Sequence, residues 1–267
     1  MDDVYRVKLG GAAITDTSKP GVAKIAEIKR LLSEINDAMK AKHFRIIIGH
    51  GGGSFPHVPA KLYRVNEGLI NSESRKGAAL VKLSARELNS IVVSVALELG
   101  MDVFPFDPSS FIAARSSRGE DVYTESIKEA LEHLFVPIVY GDVVIDKEKG
   151  VSILSTEEVF RSVSKYLPIK KVFLASDVDG VFDKDPFKYN DAKLLPIVTS
   201  ENINEVMGLA GDAHKVDVTG GMGTKVMLLS EIVRSTAGEG FIFNGNKPGN
   251  LYKVLVGESI SCTKFLP

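Results

Sequence analysis

Three consecutive glycines directly after an apolar run constrain this chain more than any other feature of its sequence. Ile46-Ile47-Ile48 predicts a buried strand, which leads into Gly49-His50-Gly51-Gly52-Gly53-Ser54-Phe55-Pro56-His57. Glycine lets the backbone turn without a Cβ atom and lets an anion approach the peptide N–H groups. A helix that begins here adds positive potential at its N-terminus. We therefore expect a phosphate group at this loop, with Ser54 and His57 as side-chain donors.

The alternative for this loop is a tight strand-to-helix turn that binds nothing, since glycine is common wherever the backbone turns sharply. Two histidines beside the three glycines favour a ligand. The loop matches neither common nucleotide signature, because it lacks both the GxxxxGKS/T spacing of the P-loop and the GxGxxG spacing of dinucleotide-binding folds.

Apolar segments of strand length alternate with helical patterns along the whole chain of 267 residues. Apolar residues recur at helical spacing from Ile25 to Met39 and from Lys76 to Leu99, which predicts two amphipathic helices. Further helices are predicted over residues 125–134, 157–166, 201–207 and 226–233, and strands over 4–9, 45–48, 103–106, 136–140, 171–175 and 240–243. This alternation predicts an α/β fold with a single domain over residues 1–267, a three-layer α/β/α sandwich around a mainly parallel sheet.

The segments between these elements have the composition of loops and turns. Residues 12–23 and 57–75 are polar and predict irregular structure. Residues 115–121 fit a hairpin or an exposed loop. The segments 143–145 and 151–154 flank a turn that is typical of a β-hairpin.

The composition argues against several classes of function. A formal net charge of -1 provides no field that would recruit nucleic acid or an anionic membrane. No stretch approaches the ~18 uninterrupted apolar residues of a membrane span, and the acidic start of the chain is unlike a signal peptide. Cys262 is the only cysteine, so an intramolecular disulfide is impossible. We therefore expect a cytoplasmic protein that acts on a small molecule.

Four predicted strands end in small or polar residues, namely Lys8-Leu9-Gly10-Gly11, the His50–His57 loop, Gly141-Asp142 and Ser176-Asp177-Val178-Asp179-Gly180. In an open parallel sheet, ligands bind beyond the carboxyl ends of the strands. Four such ends favour an elongated site for two phosphorylated molecules end to end. The alternative is ordinary turn chemistry, since Gly and Asp are common in turns.

Two lysines offer positive charge to such a site. Lys8 lies inside an apolar strand, so it either faces solvent on an edge strand or faces a bound phosphate. Because the strand has the pattern of a central one, we favour the phosphate. Lys225 lies where a helix is predicted to begin, the unfavourable end of the helix dipole for a cation, which favours a role in binding an anion.

These segments together resemble the amino acid kinase family, and within it the archaeal type of isopentenyl phosphate kinase. The resemblance runs through the whole chain. It rests on Lys8-Leu9-Gly10-Gly11, His50-Gly51-Gly52-Gly53-Ser54-Phe55 with His57, Pro108-Ser109-Ser110-Phe111, Gly141 to Asp146, Ser176-Asp177-Val178-Asp179-Gly180-Val181, Asp217-Val218-Thr219-Gly220-Gly221-Met222 with Lys225, and Gly240 to Asn246. His57 is the most specific of these, since it is similar to the histidine that holds the substrate phosphate in isopentenyl phosphate kinases and fosfomycin kinases.

The resemblance implies that ATP phosphorylates isopentenyl phosphate to isopentenyl diphosphate, a step in isoprenoid biosynthesis by a mevalonate route. It implies ATP and Mg2+ as cofactors and a homodimer. The N-terminal part, about residues 1–165, would bind the acceptor phosphate, and the C-terminal part, about 166–267, would bind ATP. The apolar tail of the acceptor would lie against helix 76–99 and the Phe104–Phe111 region.

The same resemblance assigns roles to individual residues. The catalytic group would be Lys8, Lys19, His57, Glu157 and Lys225. The acceptor would contact Gly52, Gly53, His57 and Thr156. The ATP side would comprise Lys8, Gly10, Gly11, Ala12, Gly53, Asp177, Asp179, Gly180, Gly221 and Lys225.

The chain departs from the family pattern at several of these positions. Thr17 stands where the family has a second lysine, so either Lys19 reaches the transferred group or that charge is missing. Ala12 replaces a serine, and Pro56 replaces a glycine, which fixes φ and removes an N–H. A Gly-Asp pair of the family reads Thr156-Glu157.

Two other functions stay open at this point. One is a kinase of another small phosphate or phosphonate, such as fosfomycin, which only the shape of the tail pocket would decide. The other is a catalytically weak nucleotide-binding regulatory protein, which the changes at Thr17 and Glu157 support. An amino-acid kinase is disfavoured, because a carboxylate acceptor does not require the Ser-Phe-x-His arrangement.

Overall fold

The main sheet contains eight strands within the part of the chain that the computed structural model describes, residues 3–213 and 221–267. The order across this sheet is β10-β12-β11-β9-β1-β2-β6-β3, and all neighbours run parallel except the antiparallel pair β11 and β12. The strands of both sheets are β1 Val4–Leu9, β2 Arg45–His50, β3 Val103–Pro105, β4 Ile112–Arg115, β5 Arg118–Val122, β6 Val136–Tyr140, β7 Asp142–Asp146, β8 Gly150–Leu154, β9 Lys171–Ser176, β10 Ile197–Val198, β11 Glu239–Asn244 and β12 Cys262–Phe265. The segment Asp217-Val218-Thr219-Gly220, which contributes to the family resemblance, lies outside the described residues.

Helices follow most of the strands and cover the sheet. They are α1 Gly11–Ile14, α2 Ile25–Ala41, α3 Ser54–Leu62, α4 Ser74–Glu98, α5 Glu125–Glu132, α6 Thr156–Ser164, α7 Ile203–Ala213, α8 Met222–Thr236 and α9 Asn250–Val256. Among the helices of the described ranges, none has the length and apolar content that crossing a membrane requires.

Strand β1 illustrates why the fold has three layers. Successive side chains of a strand point to opposite faces of the sheet. Tyr5, Val7 and Leu9 therefore join an apolar cluster with α2, α4 and α9, whereas Val4 joins a second cluster with α6 and α8. The sheet lies between these two clusters, which confirms the expected three-layer sandwich around a mainly parallel sheet.

A second, four-stranded sheet has the order β5-β4-β7-β8. It consists of two hairpins, because β4 pairs antiparallel with β5 and β7 with β8. The sequence predicted the hairpin of β7 and β8 and left residues 115–121 as a hairpin or an exposed loop, of which the hairpin is observed. The association of the two hairpins into a separate sheet was not predicted. The last strand, β8, brings the chain directly to the start of α6.

Two predicted loops are wrong in part. Residues 57–75 begin inside α3 and include a short 3₁₀ helix, Val65–Glu67, although Pro59 lies within α3 and weakens the helical pattern there. Residues 12–23 begin within α1. The other predicted helices and strands are confirmed, with ends that move by a few residues. At the C-terminal end, α9 and β12 had no counterpart among the predictions.

A substitution at Leu32 tests the packing of α2 against the main sheet. The Leu32 side chain is fully buried in the apolar cluster that also contains Tyr5, Val7 and Leu9 of β1. We expect Leu32→Ala to lower the free energy of unfolding by about 2–5 kcal/mol, since it leaves a cavity in a packed core. Urea unfolding followed by circular dichroism measures the change. Lys29→Ala on the exposed side of α2 is the matched control and should change stability by less than about 0.5 kcal/mol. Equal effects of the two substitutions would contradict the assigned packing.

Candidate active site

A cavity of about 320 Å³ lies beyond the carboxyl ends of β1, β2, β6 and β9. It brings together segments that are far apart in the sequence, as expected for an open parallel sheet. Its lining includes Lys8, Gly10 to Ala13, Thr17, Gly51 to Ser54, Pro56 to Val58, Gly141, Ile153 to Glu157, Leu174 to Asp177, Thr224 and Lys225.

The glycines after β1 and β2 allow their two loops to touch backbone to backbone. A Cβ atom on Gly11 would lie 2.5 Å from the Gly53 nitrogen, and one on Gly53 would lie 2.1 Å from the Thr15 hydroxyl oxygen. Gly53 also has φ +52, a conformation that favours glycine. The Thr15 hydroxyl connects the loops, because it accepts from the Ser54 N–H at 3.0 Å and donates to the Gly11 carbonyl at 2.8 Å. The glycines are therefore required by the contact between the loops as well as by any ligand.

Three helices present their first turns to the cavity, with Ser54 of α3, Thr156 of α6 and Lys225 of α8 among the lining residues. Unpaired N–H groups and the helix dipole make such ends favourable for anions. Ser54 is a buried residue, only 7% exposed. Its hydroxyl has no hydrogen-bond partner among the described residues. This hydroxyl could therefore donate to an anion bound in the cavity.

Lys8 and Glu157 form a buried ion pair at the base of the cavity. The Lys8 Nζ lies 2.5 Å from the Glu157 Oε1, and the two residues are 8% and 4% exposed. Burial raises the pKa of the Glu157 carboxyl, but the Lys8 and Lys225 ammonium groups, with the hydrogen bond from Lys8, outweigh burial and hold this pKa below its usual range. Glu157 is therefore ionised at neutral pH. Its chemistry is to hold cations in place and not to donate a proton.

His57 of α3 and Thr156 of α6 both line the cavity. His57 lies in α3 and is exposed, so a ligand can contact its ring from the cavity. Thr156 begins α6 and donates its hydroxyl hydrogen to the His50 carbonyl at 2.7 Å. The Thr156 hydroxyl thus ties α6 to the end of β2, and only its oxygen can still accept from a ligand.

Gly10, Gly11, Ala12 and Asp177 also line the cavity, whereas several predicted residues of the nucleotide side do not. Asp179 instead forms an ion pair with Lys247 at 2.7 Å. A Cβ atom on Gly180 would lie 2.4 Å from the Thr263 hydroxyl oxygen, so glycine is needed there for packing against β12. Neither position is among the residues that line the cavity.

Gly221 and Lys19 also lie outside the lining. Gly221 is the residue before the first turn of α8. Lys19 is exposed on the loop before α2, while Thr17 lines the cavity.

Apolar residues of the cavity lining include Val58 and Ala60 of α3 and Ile153 of β8. Ala60 and Ile153 pack in one apolar cluster with Val81 of α4. Residues 104–111 contribute instead to a separate cavity of about 480 Å³, which is lined by Phe106, Phe111 and residues of α4 and α5.

Sequence reasoning missed Thr15 and Ile153, which belong to no recognisable motif. It placed His50 within the glycine-rich segment but gave its side chain no individual role. For α6 a signal existed, since Ser155-Thr156-Glu157-Glu158 has the spacing of a capping box. The structure contains the first half of it, because the Ser155 side chain accepts from the Glu158 N–H at 3.1 Å.

Comparisons with known proteins agree with this geometry. The profile of the amino acid kinase family matches residues 7–244. The isopentenyl phosphate kinase of Methanothermobacter thermautotrophicus is 34% identical over 267 residues, with 97% of each chain covered. That of Methanocaldococcus jannaschii is 32% identical over 262 residues, with 94% of this chain and 95% of the relative covered. An X-ray structure of isopentenyl phosphate kinase superposes with a TM-score of 0.84 at 31% identity and covers 98% of this chain and 99% of its own.

Glu157→Gln tests the charge on the buried carboxylate. Because the pKa of Glu157 is lowered in the folded protein, its ionised form stabilises the fold fully above the unfolded pKa of about 4.3, and this stability is lost as the pH falls through the folded pKa. We expect the variant to melt below the wild type at pH 7 and the difference to shrink below pH ~4. Melting temperatures from pH 3 to 8 measure it. Glu201→Gln, at an exposed position, is the control, and a difference that does not depend on pH would contradict the assignment.

Proposed function

The chain belongs to the amino acid kinase family, and we propose that it transfers the γ-phosphoryl group of ATP to isopentenyl phosphate, giving ADP and isopentenyl diphosphate for isoprenoid biosynthesis. The observation that carries the proposal is that the glycine loop, His57, Lys8 and Lys225 all line one cavity. Two isopentenyl phosphate kinases match the chain over nearly their whole length, which supports the same acceptor.

The acceptor chemistry suits a cavity whose buried carboxylate is already ionised and paired. A phosphate monoester has a second pKa of about 6, so at neutral pH it is largely a dianion and is already nucleophilic. The reaction needs no general base. The difficulty is to bring two polyanions together in line, which requires cations and N–H donors that neutralise charge and align the groups.

We assign the acceptor phosphate to Gly52, Gly53, Ser54 and His57, with Thr156 at its far side. The buried, unpartnered Ser54 hydroxyl and the exposed His57 ring support this assignment. The isopentenyl tail then extends along the apolar wall that Val58, Ala60 and Ile153 form. This placement replaces the Phe104–Phe111 region.

We assign the ATP phosphates to Lys8, Lys225, Gly10, Gly11 and Ala12, where a lysine pair meets backbone N–H groups. Glu157 holds both lysines towards the point of transfer. Gly53 lies between the two phosphates.

On the nucleotide side, Asp177 lines the cavity. Asp179, Gly180 and Gly221 support that wall from behind or from the start of α8. In this proposal, residues up to about 165 carry the acceptor and those from about 166 carry the nucleotide, with the loop after β1 serving both.

Mg2+ is the expected companion of ATP. Within the described ranges, no group of three or more His, Cys, Asp or Glu residues could hold a metal ion. Of the carboxylates that line the cavity, Glu157 is paired with Lys8, which leaves Asp177. This donor set fits an ion held mainly by phosphate oxygens and water, the usual manner of Mg2+ in kinases. When bound, Mg2+ supplies neutralising charge between the phosphates.

The proposal extends to the assembly and its location. Leu83 and Leu97 are exposed apolar residues of α4, and an isologous contact between two copies of this helix would cover them in a homodimer. The single cysteine, Cys262, fits a reducing cytoplasm.

The acceptor is tested by ADP release with Mg-ATP and isopentenyl phosphate, dimethylallyl phosphate, geranyl phosphate, fosfomycin or glycerol phosphate. We expect turnover of isopentenyl phosphate to dominate. His57→Ala should lower kcat/KM for this acceptor by about 100-fold or more, because it removes a donor to the reacting phosphate. His43→Ala, which changes an exposed histidine outside the cavity, is the matched control and should have no effect.

Other outcomes would reassign the activity. Turnover of fosfomycin alone would keep the kinase and change its acceptor. Binding of ATP without turnover of any acceptor would refute the proposed reaction and favour the regulatory protein.

Lys19 is tested separately, because we propose that it reaches the transferred phosphoryl group when ATP binds and replaces the lysine absent at Thr17. Lys19→Ala should lower kcat by about tenfold or more, since one cation at a phosphoryl-transfer site has at least that effect. The affinity for ATP should change little. Steady-state kinetics measure both, with Lys29→Ala as the control on an exposed face. An unchanged kcat would show that Lys8 and Lys225 suffice.

A further inference from the structure

His50 is a fully buried histidine at the end of β2, directly before the glycine loop, and the proposed reaction gives it no role. Its Nδ1 lies 3.1 Å from the Gly51 carbonyl oxygen, and its Nε2 lies 3.1 Å from the Asn89 Oδ1 on α4. The ring stacks on Tyr140, with centroids 5.6 Å apart and an interplanar angle of 14°. Contacts with Gly51, Asn89 and Tyr140 therefore fix the orientation of the imidazole ring.

The partners of the ring determine its tautomer. A carbonyl oxygen only accepts hydrogen bonds, so Nδ1 must carry the hydrogen that it shares with Gly51. Burial lowers the pKa of His50, as does the Lys8 ammonium, against opposing effects of the hydrogen bonds to Gly51 and Asn89. The ring is therefore neutral, and Nε2 is an acceptor. The Asn89 amide must then present its NH2 group to Nε2, an orientation that differs from the assigned one only by exchange of O and N.

The hydrogen bond to Gly51 has a consequence for the next peptide N–H. In a trans peptide the C=O and the following N–H point in opposite directions. The Gly51 carbonyl points to the buried ring, so the Gly52 N–H points away from it, and Gly52 lines the cavity. This N–H donates to no acceptor among the described residues. It is a free donor on the side where the acceptor phosphate is assigned.

A loop of three glycines needs such an anchor. Glycine populates both signs of φ, so the Gly51–Gly52 peptide could rotate at little steric cost if its carbonyl were unbound. The His50 main chain is itself fixed, because its carbonyl accepts from the Thr156 hydroxyl at 2.7 Å and from the Gly141 N–H at 3.3 Å. Ring and main chain together connect the loop to α4, α6 and the end of β6.

We propose that His50 is a positioning residue whose ring, oriented by Asn89, holds the Gly51–Gly52 peptide so that the Gly52 N–H points at the acceptor phosphate. This inference rests on the proposed function, since it concerns the same acceptor subsite. His50 does not touch the substrate. It acts through the peptide that it orients.

The test uses two amide variants that retain different nitrogens of the ring. The side-chain nitrogen of Asn reaches about the position of Nδ1, whereas that of Gln reaches about the position of Nε2. We expect His50→Asn to keep the bond to Gly51 and a KM for isopentenyl phosphate within about threefold of the wild type. His50→Gln and His50→Phe should raise that KM and lower kcat by about tenfold or more, because a free peptide no longer presents its N–H. The KM for ATP should stay within about threefold in all three variants.

Melting temperatures separate positioning from simple packing. A packing role would lower stability in all three variants and leave kinetics well below the melting temperature unchanged. Equal kinetics for all three variants, or a His50→Asn variant as impaired as His50→Phe, would overturn the inference. His43→Asn, at an exposed position, serves as the matched control.

Imidazole 15N NMR of the wild type reads the tautomer without any substrate, and we expect the neutral form with hydrogen on Nδ1. Hydrogen on Nε2 would refute the inference even if the His50 variants failed to fold. Asn89→Asp should weaken the hold on Gly51, because a carboxylate favours hydrogen on Nε2. A wild type that shows the Nδ1–H form but does not turn over isopentenyl phosphate would refute the proposed function and leave the held peptide intact.

Discussion

The site depends on a contact between two pieces of backbone. Strands β1 and β2 are parallel neighbours, with Leu9 paired to His50, so the loops that leave them emerge side by side. These loops approach more closely than any Cβ atom allows, as the distance from Gly11 to the Gly53 nitrogen shows. Helices α1 and α3 start directly from this contact. This contact between the two loops determines where His57, the Ser54 hydroxyl and the peptide N–H groups of the glycine loop lie.

Charge is organised around the same contact and not across the whole molecule. The net charge is only -1, yet the cavity combines two lysines with the first turns of three helices. Burying Lys8 is costly without a partner, and Glu157 provides one. The same carboxylate also attracts Lys225, so one acidic group interacts with two cations of the cavity. In the proposed reaction, the phosphates of the substrates would supply further negative charge.

The second sheet gives the acceptor side its shape. Its strand β8 contributes Ile153 to the apolar wall and then turns into α6, which carries Thr156 and Glu157. The polar and apolar halves of the proposed acceptor therefore meet residues that come from one short stretch of chain.

Local patterns in the sequence were enough to predict most helices and strands and the small or polar residues at the ends of four strands. Helical spacing and apolar runs are local signals, so α2, α4, β1, β2, β6 and β9 could be placed from them. Lys8, His57 and Lys225 could be named because a cation in an apolar strand, a histidine beside three glycines and a lysine at a helix start are each unusual for their position.

What each of these residues contacts follows from the packing between elements. Asp179 and Gly180 have a site-like pattern, but Lys247 and Thr263, which are remote in sequence, contact them outside the cavity lining. Thr15 belongs to no motif, and the motif around His50 does not indicate that its ring contacts Asn89 and the Gly51 carbonyl. A local sequence pattern shows the spacing of apolar residues within one helix or one strand. Which segments meet depends on packing between elements, and no local pattern contains that information.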